Sequence, residues 1–234
     1  MVEAQDKFTY YDFIADVVPG MIFIGVLNYI TPIRIFGNLI ADSVYLIFVS
    51  YVFGLIIQFF SKYTVEKLVK FTFWKNSYLS DIFLIKDAHK IGLLERKKYL
   101  MSIKKIFKYS DSELKRLDEK NIFNKENRPK LDKAKEVSRS IYRALDCSTL
   151  DKNLAQKAHM QNTYYSLFRG LSMTFLFVSL LIAYFIIFLP HIDVLIYWVF
   201  FGLSVIFSIV FLIRIKQKGE SYIKGLFDSI TSKR

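Results

Sequence analysis

The fold class this chain predicts is an all-α membrane protein. It has four transmembrane helices in a 2+2 arrangement and a basic, cytosolic helical domain inserted between the pairs. Three observations predict it. Hydrophobic residues make up 53% of the 234 positions and aromatic ones 17%, with 23 Phe and 15 Tyr, more apolar mass than a soluble domain of this length carries. Yet 23% of the residues are charged and the formal net charge is +12. The third observation reconciles these two: the apolar and charged populations are segregated along the chain.

The spans come first. A bilayer core needs about 20 apolar residues in helix, and four segments approach that length. They run from about Val17 to Ile33, from Val44 to Phe60, from Leu171 to Leu189 and from Val194 to Ile215. The last two carry no interior charge. Pro190, His191 and Asp193 form the hairpin between them, and Arg169 and Arg214 flank the pair. In the second segment Ser50 and Gln58 are the polar interior residues. The first is interrupted by Pro19 and Gly20, contains Asn28 and follows Asp16. Residues 8–18 read as a short interfacial helix that breaks at Pro19, since proline removes a helix donor. The alternative is one longer, kinked helix starting near Phe13. A cleaved signal peptide is not expected, because residues 1–16 carry Lys7 against Glu3, Asp6, Asp12 and Asp16, the reverse of the required charge.

Orientation follows from Lys and Arg, which collect on the cytoplasmic side of span ends. Residues 61–165 hold 24 Lys and Arg against 13 Asp and Glu, whereas the loops between paired spans carry only Arg34, Asp42 and Asp193. With an even number of spans, both termini and the central domain share one side, expected to be the cytoplasm behind the cell inner membrane. The implied organisation is residues 1–60 (N-terminal segment and hairpin), 61–165 (basic helical domain), 166–215 (second hairpin) and 216–234 (amphipathic basic tail).

Within 61–165 the pattern is helical. Lys62–Trp74 continues the second span, with Val65, Leu68, Val69 and Phe73 at helical spacing. Residues 76–80 read as a turn and 81–87 as an extended or buried loop. Ile91–Tyr109 reads as a helix with a basic face. Ser110 and Glu113 have capping-box spacing and start a short helix. Residues 118–130 read as a loop ending in Pro129, followed by a helix over 131–145. A last helix starts near Asp151 and passes into the third span. In the tail, Ile223, Leu226, Phe227 and Ile230 form an apolar stripe. It lies either on the inner leaflet or against the central domain.

Catalytic chemistry is hard to place. There is no GxxxxGK[ST], no GxGxxG and no GxSxG. His89 and His159 lack an evident partner for nucleophilic work, and Asp118, Glu119 and Lys120 sit in a polar stretch rather than on a strand. One cysteine, Cys147, and three histidines do not supply the usual zinc spacing. No enzyme activity, metal or cofactor is expected.

Three candidate sites remain. Arg96, Lys97, Lys98, Lys104, Lys105 and Lys108 interleave with Tyr99, Phe107 and Tyr109, a surface suited to an anionic nucleotide, RNA or acidic lipid. The competing reading is a solvated face that obeys the orientation rule. Asp16, Asn28 and Gln58 are polar groups in or near the bilayer, placed either along a pore or against neighbouring helices. Ser50-xxx-Gly54 and Ser204-xxx-Ser208 are small-xxx-small pairs that permit close helix approach and homo-oligomers.

The segments YYDFIADVVPGMIF (10–23), YVFGLIIQFFSK (51–62) and NTYYSLFRGLSM (162–173), placed around two hydrophobic hairpins, resemble small bacterial membrane proteins linked to antiviral defence. The nearest in layout are the four-span accessory proteins of type VI-B CRISPR loci and membrane effectors of nucleotide-signalling defence. The resemblance covers the layout of the whole chain and aligns no catalytic residue. It implies an oligomeric protein that perturbs or senses the inner membrane, its basic domain taking a signal, nucleotide, RNA or protein partner. A constitutive anchor that recruits a cytosolic partner is the other reading.

Overall fold

The computed structural model describes residues 10–30, 43–88, 90–119, 122–147, 152–188 and 194–231. Every regular element among them is helical: α1 (Tyr10–Ile30), α2 (Ser43–Tyr63), α3 (Val65–Phe73), α4 (Leu79–Ile82), α5 (Leu93–Phe107), α6 (Asp111–Lys115), α7 (Arg128–Cys147), α8 (Lys152–Phe188) and α9 (Val194–Thr231). Three short 3-10 turns lie at Lys86–Ala88, Arg116–Asp118 and Lys125–Asn127. The described residues form two compact units. An apolar unit draws on Met1–Val69 and Asn162–Lys218, and a basic unit on Lys70–Gln161 and Gly219–Arg234.

Among the described residues three helical stretches are long and apolar enough to cross a membrane: Tyr45–Phe73, Lys157–Phe188 and Leu195–Thr231. The apolar part of α1, Phe13–Tyr29, is shorter. At 1.5 Å per residue it covers about 26 Å, against a hydrocarbon core of about 30 Å.

The break expected at Pro19 does not occur; α1 runs through it as one helix. Proline here removes one donor without ending the helix, because the carbonyl it leaves unpaired finds another partner, described below. α1 and α2 pack closely through glycines. A Cβ on Gly20 would fall 1.8 Å from the Ser50 carbonyl oxygen, and one on Gly54 would fall 1.8 Å from the Asp16 carbonyl oxygen. Ring pairs fill the space around this contact, Phe13 on Tyr51 at 5.6 Å and Phe23 on Phe53 at 5.9 Å. Phe175 lies 5.2 Å from Phe207 and 5.7 Å from Phe211, joining α8 to α9. Ser172 and Ser208 exchange hydrogen bonds across the same pair: each hydroxyl donates to the other residue's carbonyl at 3.0 Å.

In the basic unit, residues 81–87 follow the buried of the two alternatives rather than the extended one, with a helical turn at their start. α4 and the turns after it bury Ile82, Phe83, Leu84 and Ile85. The apolar stripe of the tail completes this core. Ile223, Leu226, Phe227 and Ile230 are buried, and Phe227 stacks on Phe83 at 5.1 Å and 14° and lies 5.3 Å from Tyr99. Leaflet and domain were both open to the tail on sequence; here its apolar face is spent inside the unit. Asp81, itself buried, holds α7 through a paired contact, accepting from Arg139 Nε at 3.0 Å and Nη2 at 2.5 Å. The capping box at Ser110 and Glu113 starts α6. α7 begins at Arg128, three residues earlier than the Pro129 signal suggested, because proline is well tolerated in a helix's first turn, where its missing donor is not needed.

Candidate functional site

An α-helix satisfies the carbonyl of residue i with the amide of residue i+4. Residue 19 is proline, so the Ala15 carbonyl has no helical donor. In lipid such a carbonyl must be satisfied from within the protein. Gln58 does this: its Nε2 donates to Ala15 O at 3.1 Å and to Ser166 O at 3.0 Å. Its Oε1 accepts from Ser61 Oγ and from Arg169 Nη2, each at 3.3 Å. One buried amide thus bridges α1, α2 and α8. Gly170 makes the room, since a Cβ there would lie 2.6 Å from Gln58 Nε2 and 2.9 Å from Pro19 Cγ. Thr174 Oγ1 donates to Pro19 O at 3.3 Å and closes the junction from α8.

An ion pair adjoins this junction. Arg169 Nη1 lies 3.2 Å from Glu66 Oε2, and both side chains are largely buried. The Arg169 guanidinium also stands 5.8 Å from the Tyr165 ring. Arg169 reads in sequence as a residue flanking a span, whereas here it faces inward. Neither Glu66, Gly170 nor the role of Arg169 was anticipated. The available signal was Pro19, which demands a polar partner on another span, and Gln58 was the amide in the second.

The three polar residues proposed for a pore are not gathered together. Asp16 and Gln58 lie at one level, because Gln58 bonds the residue before Asp16 and the Asp16 backbone abuts Gly54. Asn28 is twelve residues further along α1, about 18 Å at helical rise. Of the small pairs, Ser50 and Gly54 serve packing within this chain, against Gly20 and Asp16. Ser204 is buried and Ser208 bonds Ser172. Ser204 also lines a cavity of about 580 Å³ with Gly25, Tyr29, Val178, Tyr197 and Phe200.

On the basic face one residue must be removed. Arg96 is 6% exposed. Its Nε donates to Leu84 O at 2.7 Å, Nη2 to Leu117 O at 3.0 Å and Nη1 to Asp118 Oδ1 at 2.6 Å. It is a structural tie between α5 and the turns around it, placed there because 96, 99 and 103 share the buried side of the helix. Lys97, Lys98, Lys104, Lys105 and Lys108 are exposed, and Lys104 pairs with Asp111 at 2.6 Å. Lys108 caps α5 in a left-handed conformation, φ 56°.

The interleaved aromatics face elsewhere. Tyr99 is fully buried, and its phenol donates to Asp228 Oδ1 at 2.7 Å, with Glu95 Oε1 at 3.0 Å as a second acceptor. Burial first, and then the Asp228 carboxylate, push its phenol well above the usual range. Lys224 Nζ lies 2.8 Å from Glu95 Oε1, and this hydrogen bond is the main reason the Glu95 carboxyl is held below its ordinary value. Tyr109 is hydrogen-bonded to Ser140 at 2.9 Å.

Of the histidines, His159 lies on α8 with its ring 6.4 Å from Tyr222, and His89 falls outside the described residues. No group of three or more His, Cys, Asp or Glu side chains among the described residues could hold a metal ion. Comparison of the chain with protein families, with curated proteins and with solved structures finds no match.

Proposed function

We propose that this protein is a non-enzymatic, oligomeric membrane protein of four spans. In this reading α1 is the fourth span, both termini and the basic unit are cytoplasmic, and the membrane is the bacterial inner membrane. The basic unit takes a signal or partner, and the spans alter or sense the membrane, as in the antiviral defence proteins that the chain resembles in layout. The observation that carries the reading is the pairing of an apolar, span-bearing unit with a cation-rich helical one. α8 and α9 each contribute residues to both without a helix break. The twenty-one residues of α1, about 31 Å long, are compatible with a span once its polar first turn is counted. To test this, the full chain is expressed under control while a voltage-sensitive dye reports membrane potential, and its mass is measured in detergent. A multimer that depolarises cells is the expected result. A strict monomer that leaves the potential unchanged sinks the proposal.

A second reading, a constitutive anchor for a cytosolic partner, is favoured by one observation. Gln58, one of the three candidate pore residues, is consumed in holding three helices together. If the spans can be exchanged for unrelated ones without loss of the cellular phenotype, the anchor reading is the better.

A further inference from the structure

The outward face of α5 has an order that net charge alone does not explain. At 100° per residue, Leu94 and Met101 fall on its centre line, two turns apart. Lys97 and Lys104 flank this line on one side, and Lys98 and Lys105 on the other. Leu93 opens the helix beside it. Leu94 is 87% exposed, Leu93 66% and Met101 51%. Glu95, the one acidic residue of α5, lies off this face and is engaged by Lys224. Asp111 also reaches the face and pairs with Lys104.

We propose that this face is an interfacial docking surface for anionic phospholipid, with Leu94 and Met101 entering the headgroup boundary and the lysines snorkelling to phosphate on either side. The inference rests on the reading that the basic unit is water-facing beside a membrane. An apolar ridge between two rows of lysine is the arrangement that lets alkyl stems lie along lipid while ammonium groups stay at the phosphates. A solvated face would gain nothing from Leu93, Leu94 and Met101. A surface for single-stranded nucleic acid would display aromatic rings for base stacking. The aromatics of this segment do not serve: Tyr99 is buried, Phe107 half-buried and Tyr109 bonded to Ser140.

The test uses the full chain with Cys147→Ser and an environment-sensitive fluorophore on Leu94→Cys, reconstituted into vesicles. One set is phosphatidylcholine alone and the other contains 30% phosphatidylglycerol. A second sample carries the label on Leu203→Cys, in a span. The expected result is a blue-shifted Leu94→Cys signal, quenched by spin-labelled lipid, in the anionic vesicles only. The quadruple change of Lys97, Lys98, Lys104 and Lys105 to Gln should reduce that quenching at least fivefold. A water-like signal at position 94 in both vesicles, with the label at 203 quenched, overturns the docking proposal while leaving the membrane reading intact. Absence of quenching at 203 overturns the membrane reading itself. A blue shift in neutral vesicles without lipid quenching marks a second copy as the occupant. A shift produced only by adding a 30-nucleotide single-stranded RNA marks nucleic acid. Either of these last two results also overturns the proposal.

Discussion

Replacing Gln58 by Leu tests the central junction most sharply. The side chain keeps its bulk but loses two donated bonds, to Ala15 O and Ser166 O. The two losses differ. Leaving the Ala15 carbonyl unsatisfied should cost about 1–3 kcal/mol, the usual penalty for an orphaned buried polar group. The second bond is an ordinary interhelical one, worth about 0.6 kcal/mol in membranes. Together they predict a loss of about 1.6–3.6 kcal/mol. The cause is identified by a second change, Pro19→Ala, which returns an amide hydrogen to position 19 and with it the missing helical donor for Ala15. In that background Gln58→Leu should cost at least about 1 kcal/mol less. The bond from Arg169 to Gln58 Oε1 is lost in both backgrounds, so it cancels in the cycle. Reversible unfolding of the full chain in mixed micelles, titrated with denaturing detergent, measures all four proteins. Equal costs for Gln58→Leu in the two backgrounds would refute the reasoning, whatever their size.

Further consequences are open to the same assay, except where another is named. Gly54→Ala should destabilise by about 1–3 kcal/mol through overpacking against the Asp16 backbone, and Gly20→Ala/Gly54→Ala by less than the sum, since one helix separation relieves both. Gly25→Ala and Gly202→Ala, where a Cβ would meet nothing within 4 Å, should not destabilise and should gain up to about 1 kcal/mol, since alanine is the better helix former. Arg169→Met should cost about 3 kcal/mol by removing the guanidinium from beside the largely buried Glu66 carboxylate, and adding Glu66→Leu should recover part of it. Phe227→Ala empties a fully buried ring site between Phe83 and Tyr99 and should cost about 3–5 kcal/mol, seen as faster proteolysis within residues 70–161. Glu95 has a lowered folded-state pKa, so its contribution is complete above its unfolded value of about 4.3 and is lost as pH falls through the lower folded one. Thermal melts of the wild-type protein should therefore show an acid-side decline in that window, and Lys224→Met should flatten it.

The helical class was legible because lipid tolerates so little: the uncharged runs from Val44, Leu171 and Val194 onward suit a bilayer and little else. The capping box at Ser110 was legible for a similar reason, being a local bond that needs no tertiary knowledge. Elements fixed by distant partners were not. The continuation of α1 through Pro19 depends on Gln58, thirty-nine positions away, and the inward turn of Arg169 depends on Glu66. Arg96 looked like its lysine neighbours because composition cannot say which side of α5 is buried. That is decided by Phe83, Leu84 and the tail residue Phe227. The tail stripe was visible as a stripe, but its partner was not, since an apolar face fits a leaflet and a protein core equally well.

The exchange between Ser172 and Ser208 bears on motion. Within a span, a serine hydroxyl can also bond a carbonyl one turn back on its own helix. If α8 and α9 slid past one another, each hydroxyl could fall back on that bond instead of standing empty, and the net penalty would be about 0.6 kcal/mol apiece. The contact therefore marks one register of α8 on α9 at a small energetic cost for leaving it.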